Sequence, residues 1–230
     1  FHSICLDILR AQGEVFSLAD EIQVKELAQE TIDIWNLKIS VRDFLSEISL
    51  YKSAPGERAF PDQVWEESFT HYQKLLQDRN LADFDDLLLK ALDLAQASQM
   101  EEECKKRFTY LLVDEFQDVN PVQYRLMLEW AKGGREIFVI GDPDQAIYGF
   151  RGSDSRCFDR LKEDRPDTKM ICLEENYRSV STVVEAATAV ISRNPGEERH
   201  LKAHRGQGEK LRIVEAASDL SEGIFVAKEI

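Results

Sequence analysis

A chain of 230 residues that is 43% apolar and 31% charged, with three Trp and twelve Phe, holds enough apolar side chains for one large core or two small ones and is not disordered. No apolar run approaches the roughly 20 residues of a membrane helix and no signal-peptide pattern opens the chain, so the expectation is a cytoplasmic protein without a membrane partner. The formal charge of −14 argues at first against nucleic acid, but −9 of it falls in residues 1–107, −4 in 108–180 and −1 in 181–230, so the balance describes the first half more than any local groove.

The first half reads as helical. Segments 20–30 and 41–51 carry helical periodicity, and Ser53-Ala54-Pro55-Gly56 is a turn. Val64, Trp65, Phe69, Tyr72, Leu75 and Leu76 form an amphipathic helix starting near Pro61-Asp62. Phe84, Leu87, Leu88, Ala91, Leu92 and Ala95 form another behind Asp83, an N-cap with Asp86 three residues on. Glu101–Arg107, acidic then basic, reads as a solvated helix end or linker. Trp35, Trp65 and Trp130 each sit in a helical apolar pattern and are read as core.

From residue 108 the pattern changes. Tyr110–Val113, Ile137–Ile140 and Met170–Leu173 are short apolar runs ending in Asp114-Glu115, Gly141-Asp142 and Glu174-Glu175-Asn176, with helical stretches near 120–131 and 155–163 between them. Continuous apolar strands alternating with helices predict a parallel sheet covered on both faces, with ligands beyond the strands' carboxyl ends. A helix over about 181–193, a strand at Leu211–Val214 and a last helix from Asp219 predict that a second α/β unit begins near 174. Four scattered cysteines, Cys5, Cys104, Cys157 and Cys172, form no C-x-x-C pair and read as reduced thiols, not as a zinc site or a disulfide framework.

An Asp-Glu pair after a buried strand is most often two solvated carboxylates, and Asp114-Glu115 alone says little. It is followed by Phe116-Gln117-Asp118, then by Gly141-Asp142-Pro143-Asp144-Gln145-Ala146-Ile147-Tyr148-Gly149-Phe150-Arg151-Gly152, then by Leu173-Glu174-Glu175-Asn176-Tyr177-Arg178-Ser179. These blocks resemble, in order and spacing, the Walker B motif, motif III and motif IV of the UvrD/Rep-like superfamily 1 DNA helicases. Phe1-His2 resembles the end of that family's Thr-Phe-His block, and Asp83-Phe84-Asp85-Asp86-Leu87-Leu88 a further block before Walker B.

The resemblance implies an α/β fold of the P-loop NTPase (RecA-like) class, a parallel sheet with a mainly helical inserted subdomain. Residues 1–14 and 108–173 would belong to the first motor domain, 15–107 to the insertion and 174–230 to the start of the second motor domain. It implies a helicase driven by ATP and Mg²⁺ that moves 3′→5′ on single-stranded DNA and unwinds at single–double strand junctions, in repair, recombination or replication, with repair or replication proteins as partners. By resemblance, Asp114 serves Mg²⁺ with Glu115 beside it, and Glu115 is the base for hydrolysis. Gln145 senses the terminal phosphate, Arg178 reaches it from the second motor domain, and Tyr177 stacks on adenine. Tyr148, Phe150 and Arg151 face DNA, with Phe1 and His2 at the channel; Phe150 stands where many family members have Trp. No G-x-x-x-x-G-K-[ST] loop occurs in the chain, which opens at Phe1; the expectation is therefore an internal fragment that hydrolyses almost no ATP alone. The alternatives are a subunit of a helicase–nuclease that processes DNA ends, or a non-enzymatic DNA-binding scaffold with a lost ATP site.

Overall fold

The computed structural model describes residues 1–97, 107–132, 136–149, 152–154, 156–194 and 200–230. It is a mixed α/β structure with short parallel sheets, in two compact units, Phe1–Thr168 and Lys169–Ile230.

The first unit opens with helix α1 (His2–Ala11), strand β1 (Ser17–Leu18), α2 (Glu21–Trp35), α3 (Val41–Ser53), α4 (Gln63–Asp78), β2 (Leu81–Ala82) and α5 (Phe84–Gln96). Side-chain oxygens start these helices where the chain offers them. Asp20, Ser40, Asp62 and Asp83 each accept the N–H three residues on, and Asp20 and Asp83 complete reciprocal capping boxes with Gln23 and Asp86. Such caps satisfy orphan donors and contribute about 1 kcal/mol apiece. After residue 107 come β3 (Tyr110–Val113), a 3₁₀ turn (Phe116–Asp118), α6 (Pro121–Trp130), β4 (Glu136–Val139), a second 3₁₀ turn (Pro143–Gln145) and α7 (Cys157–Asp164). Asn120 caps α6 ahead of Pro121, whose missing N–H costs nothing at a helix start.

Two apolar cores hold this unit. One gathers Cys5 and Leu9 of α1, Leu87 and Ala91 of α5, Leu111 of β3, Phe116, Leu126 and Trp130 of α6, and Cys157 and Leu161 of α7. The other joins Leu27 and Ile32 of α2, Phe44 and Ile48 of α3, and Tyr72 and Leu76 of α4. Trp65 stacks on Phe44 of this second core, while Trp35 is half-buried against His71.

A buried polar cluster links α3, α4 and α5. Lys52, whose side chain is 0% exposed, places its ammonium 2.6 Å from Asp83 Oδ2 and 2.7 Å from Asp86 Oδ1. The same two carboxylates form the α5 capping box, so one pair of residues starts the helix and neutralises the buried cation. The Tyr72 hydroxyl donates to Asp83 and Gln73 Nε2 to Asp86. Burial pushes the Asp86 carboxyl up, but Lys52 and the Gln73 amide outweigh it and hold it below its ordinary value. Asp85 has the opposite outcome: burial first, then the Asp83 charge, raise its carboxyl to about 6.

Strands β1 and β2 pair in parallel, Ser17 with Leu81. Strands β3 and β4 also run parallel, from Tyr110 opposite Glu136 to Val113 opposite Val139. The expectation of a sheet covered on both faces is not met among the described residues. Leu111, Val113, Ile137 and Val139 belong to the core, whereas Tyr110, Leu112 and Phe138 point to solvent, Leu112 being 73% exposed. The helices in this unit pack into the core on one side of the ribbon, and period-2 alternation sends every second side chain to the other side.

The second unit contains β5 (Glu175–Val180), α8 (Ser181–Ile191), β6 (Lys202–Arg205) and α9 (Asp219–Glu229). β5 and β6 are parallel, Glu175 opposite Lys202, with an irregularity between Asn176 and Val180. The strands expected at Met170–Leu173 and Leu211–Val214 are absent. Both apolar runs lie exposed with no ladder partner among the described residues, Ile171 and Ile213 among them, while the polar segment after Glu174 finds one: Lys202 N–H donates to Glu174 O at 2.8 Å. A strand is defined by the partner its backbone can bond, and apolar content alone does not supply one. Helix α8 covers β5 and β6 through Val184, and Thr182 exchanges hydrogen bonds with the Gly208 backbone.

Of the cysteines, Cys5 and Cys157 are buried free thiols, both pushed up to about 11 by burial, and Cys172 is exposed and free. Cys104 and the charged run expected at Glu101–Arg107, apart from Arg107, lie outside the described residues. No helix among the described residues is long and apolar enough to cross a membrane.

Candidate functional site

The carboxyl ends of β3 and β4 lie side by side, because Ile140 N–H donates to Val113 O at 2.8 Å and Phe116 N–H to Ile140 O at 2.9 Å. Between them the chain turns sharply at Glu115, whose φ of 50° is left-handed. A non-glycine residue there costs about 1 kcal/mol and persists only where its surroundings over-determine it. Asp114 Oδ1 accepts the Glu115 N–H at 3.0 Å, which helps to fix the turn. Asp114 and Glu115 are both exposed at the strand end.

Gln117, only 2% exposed, is the hub. Its Nε2 donates to Glu115 Oε2 at 2.6 Å, and its Oε1 accepts the Asp142 N–H at 3.0 Å. The Asp142 carboxylate accepts in turn from the Asp144 N–H at 3.0 Å and from Gln145 Nε2 at 2.9 Å. A continuous hydrogen-bonded chain therefore runs Glu115–Gln117–Asp142–Gln145 across two loops. Gly141 makes room for it: a Cβ there would lie 2.4 Å from Gln117 Oε1 and 2.9 Å from Phe116 N. Beneath, Cys157 Sγ donates to Phe116 O and Phe158 meets the Phe116 ring edge-on at 5.0 Å.

Asp114, Glu115 and Gln145 are thus brought together at one strand edge. Tyr148 is exposed three residues past Gln145, and Phe150 and Arg151 lie outside the described residues. Phe1 and His2 begin α1, apart from this network. The Phe1 ring stacks on Trp130 at 5.7 Å in the first core, and His2 meets Phe84 edge-on at 5.5 Å, with burial holding its imidazole below the usual range.

Tyr177 and Arg178 belong to the second unit, on β5. Tyr177 is 69% exposed yet backed on one face by His204, with centroids 4.2 Å apart and rings within 17° of parallel. His204 Nε2 lies 2.5 Å from Glu175 Oε2. Arg178 O accepts from Arg205 Nη1, and Asn176 Oδ1 accepts the N–H groups of Arg178 and Ser179, so the backbone around Tyr177 and Arg178 is pinned. A cavity of about 710 Å³ lies elsewhere, lined by Trp35, Gln63, Glu66, Glu67, Thr70, His71 and Lys74, and contains none of these residues. Missing from the sequence reading are the roles of Gln117 and His204. Gln117 lies within a motif block and His204 outside all of them, and their partners lie 25 and 29 residues away.

Residues 1–166 match the model of the UvrD/REP helicase N-terminal domain. The chain belongs to the UvrD/REP helicase family. Among its relatives is the ATP-dependent DNA helicase PcrA of Staphylococcus aureus (strain NCTC 8325 / PS 47), 32% identical over 249 aligned positions that take in 100% of this chain and 34% of that protein. PcrA of Staphylococcus epidermidis (strain ATCC 12228 / FDA PCI 1200) is 31% identical over the same shares. The chain spans about a third of the length of these relatives.

Proposed function

We propose that this chain is a segment of an ATP-dependent DNA helicase that couples hydrolysis of Mg²⁺·ATP to 3′→5′ movement along single-stranded DNA and to strand separation at junctions, in repair, recombination or replication. In this reading residues 1–14 and 108–173 belong to the first RecA-like P-loop domain, 15–107 to its helical insertion, and 174–230 to the start of the second. The family match and the PcrA relatives support it, and the single observation that carries it is the Glu115–Gln117–Asp142–Gln145 chain. That network fixes a carboxylate and an amide beside one another beyond the carboxyl ends of parallel strands, where ligands of α/β sheets bind.

The donor set fits Mg²⁺. Asp114 and Glu115 are adjacent, exposed hard-oxygen donors at a strand end, and no group of three or more His, Cys, Asp or Glu side chains gathers among the described residues to cage an ion unaided. Mg²⁺ asks for no more, since one or two carboxylates hold it while waters and substrate phosphates fill the remaining positions. Bound at Asp114, the ion supplies charge neutralisation at the phosphates. Glu115 orients the attacking water and accepts its proton, held in place by the Gln117 amide. The Gln145 amide donates to a phosphate oxygen and accepts from the water. Arg178 offers a guanidinium fork to the terminal phosphate, and the exposed face of Tyr177 stacks on adenine. Tyr148 and Phe150 stack on bases without reading sequence, with Arg151 and His2 beside the strand. Phe1, its ring engaged with Trp130, contributes through packing.

The test is Glu115→Gln in the full-length protein. It should abolish DNA-stimulated ATP hydrolysis while single-stranded DNA binding persists; unchanged turnover would remove Glu115 from this role.

A further inference from the structure

We propose that Gln117 is a positioning residue that locks Glu115 to the Gln145 loop, so that the carboxylate and the phosphate-sensing amide are set as one unit. The inference rests on the reading of Glu115 as the base. It stands on the geometry of a single side chain. Gln117 is almost wholly buried and uses both ends of its amide: the donor end on Glu115 Oε2 at 2.6 Å and the acceptor end on the Asp142 N–H at 3.0 Å.

Amide asymmetry gives this arrangement a direction. Only an NH₂ group can donate to the Glu115 carboxylate, and only a carbonyl oxygen can accept the backbone N–H. No other common side chain of this length does both. A carboxylate at 117 keeps the Asp142 bond but faces Glu115 with like charge, and an apolar side chain keeps neither.

The strand end by itself does not fix the Glu115 side chain. Its backbone sits in the left-handed region, where the chain turns away from β3, and the Gln117 amide is the side-chain bond that ties its carboxylate down among the described residues. On the other loop, Asp142 holds Gln145 through its carboxylate and is itself held through its N–H by Gln117. Displacing either loop therefore pulls on the same buried amide. Gly141 fits this account, because a side chain there would occupy the space of the Gln117 oxygen.

The experiment compares Gln117→Leu, Gln117→Glu and Glu115→Gln in the full-length protein, following ATP hydrolysis with and without single-stranded DNA and the folded fraction of each variant. Gln117→Leu should lower kcat about 10- to 100-fold, the scale of a catalytic group misplaced by about 1 Å, with KM for ATP nearly unchanged. Gln117→Glu keeps an acceptor for the Asp142 N–H but has no donor for Glu115, so its kcat should fall by a similar factor, again with KM nearly unchanged. A purely structural role would reduce the folded fraction and leave kcat per folded molecule where it is. If Gln117→Leu does not fold, the kcat of Gln117→Glu per folded molecule decides alone. Should Glu115→Gln abolish turnover while both Gln117 variants keep the parent kcat, the inference is wrong. Should Glu115→Gln itself retain turnover, the reading of Glu115 fails, and this inference with it.

Discussion

Replacing Lys52 by Met probes the most heavily buried charge among the described residues. Methionine nearly matches the lysine stem in volume, so the change removes the ammonium while opening little space. The structure supplies the terms. The side chain is fully buried, and its two ion pairs, at 2.6 and 2.7 Å, are lost together. Asp83 and Asp86 are left facing one another, with Asp85 adding a third carboxyl nearby. Breaking a buried ion pair by deleting one partner costs about 3–5 kcal/mol. The cost has a ceiling, because placing a proton on one ordinary carboxylate at pH 7 costs about 4 kcal/mol and relieves the repulsion. At ~2–4 °C per kcal/mol for a chain of this size, the midpoint of thermal unfolding should fall by about 6–16 °C at pH 7. Urea unfolding followed by circular dichroism gives the same quantity at constant temperature. The triple variant Lys52→Met, Asp83→Asn, Asp86→Asn should recover most of the loss, since Asn still caps α5. A Lys52→Met protein within 1 kcal/mol of the parent would refute the view that the cluster holds α3 to α5 electrostatically.

Asp85→Asn tests the raised carboxyl in the same cluster. A folded value of about 6 against 3.8 unfolded means the fold favours the protonated form, so this group's stabilising contribution is full below pH 4 and is lost as pH rises through 6. The asparagine variant should exceed the parent by about 2–3 kcal/mol at pH 8, a gain that shrinks toward zero near pH 4 in urea titrations; a gain independent of pH would contradict the assignment. Gly141→Ala should cost about 1–3 kcal/mol by overpacking against Gln117 and Phe116 N, read by thermal unfolding, and should lower ATP turnover in the full-length protein; a neutral alanine would mean that the two loops give way freely.

Much of this architecture is legible in the sequence where one short-range rule decides. Asp62 and Asp83 announce their helices because a cap and an apolar period lie within four residues of each other. The β3 and β4 runs are legible because apolar residues end abruptly at Asp114 and at Gly141-Asp142. β5 and β6 are not, since Glu175–Val180 and Lys202–Arg205 are polar and form by pairing with each other, while the apolar runs at 170–173 and 211–214 find no partner. The motif blocks name Asp114, Glu115 and Gln145, but not what connects them. Gln117 is one polar residue of its block until the fold brings Asp142 to its other end, and nothing near Lys52 in the chain marks it as buried, because its two carboxylates come from 31 and 34 residues away.

The most direct test of the central claim is the rate of ATP hydrolysis by the full-length Glu115→Gln protein with saturating single-stranded DNA, alongside its DNA affinity at the same salt. Turnover should fall at least about 100-fold, the scale of losing a general base, with the dissociation constant for DNA within about threefold of the parent. Turnover within threefold of the parent would show that the carboxylate held by Gln117 is not the base and would overturn the functional reading of this strand edge.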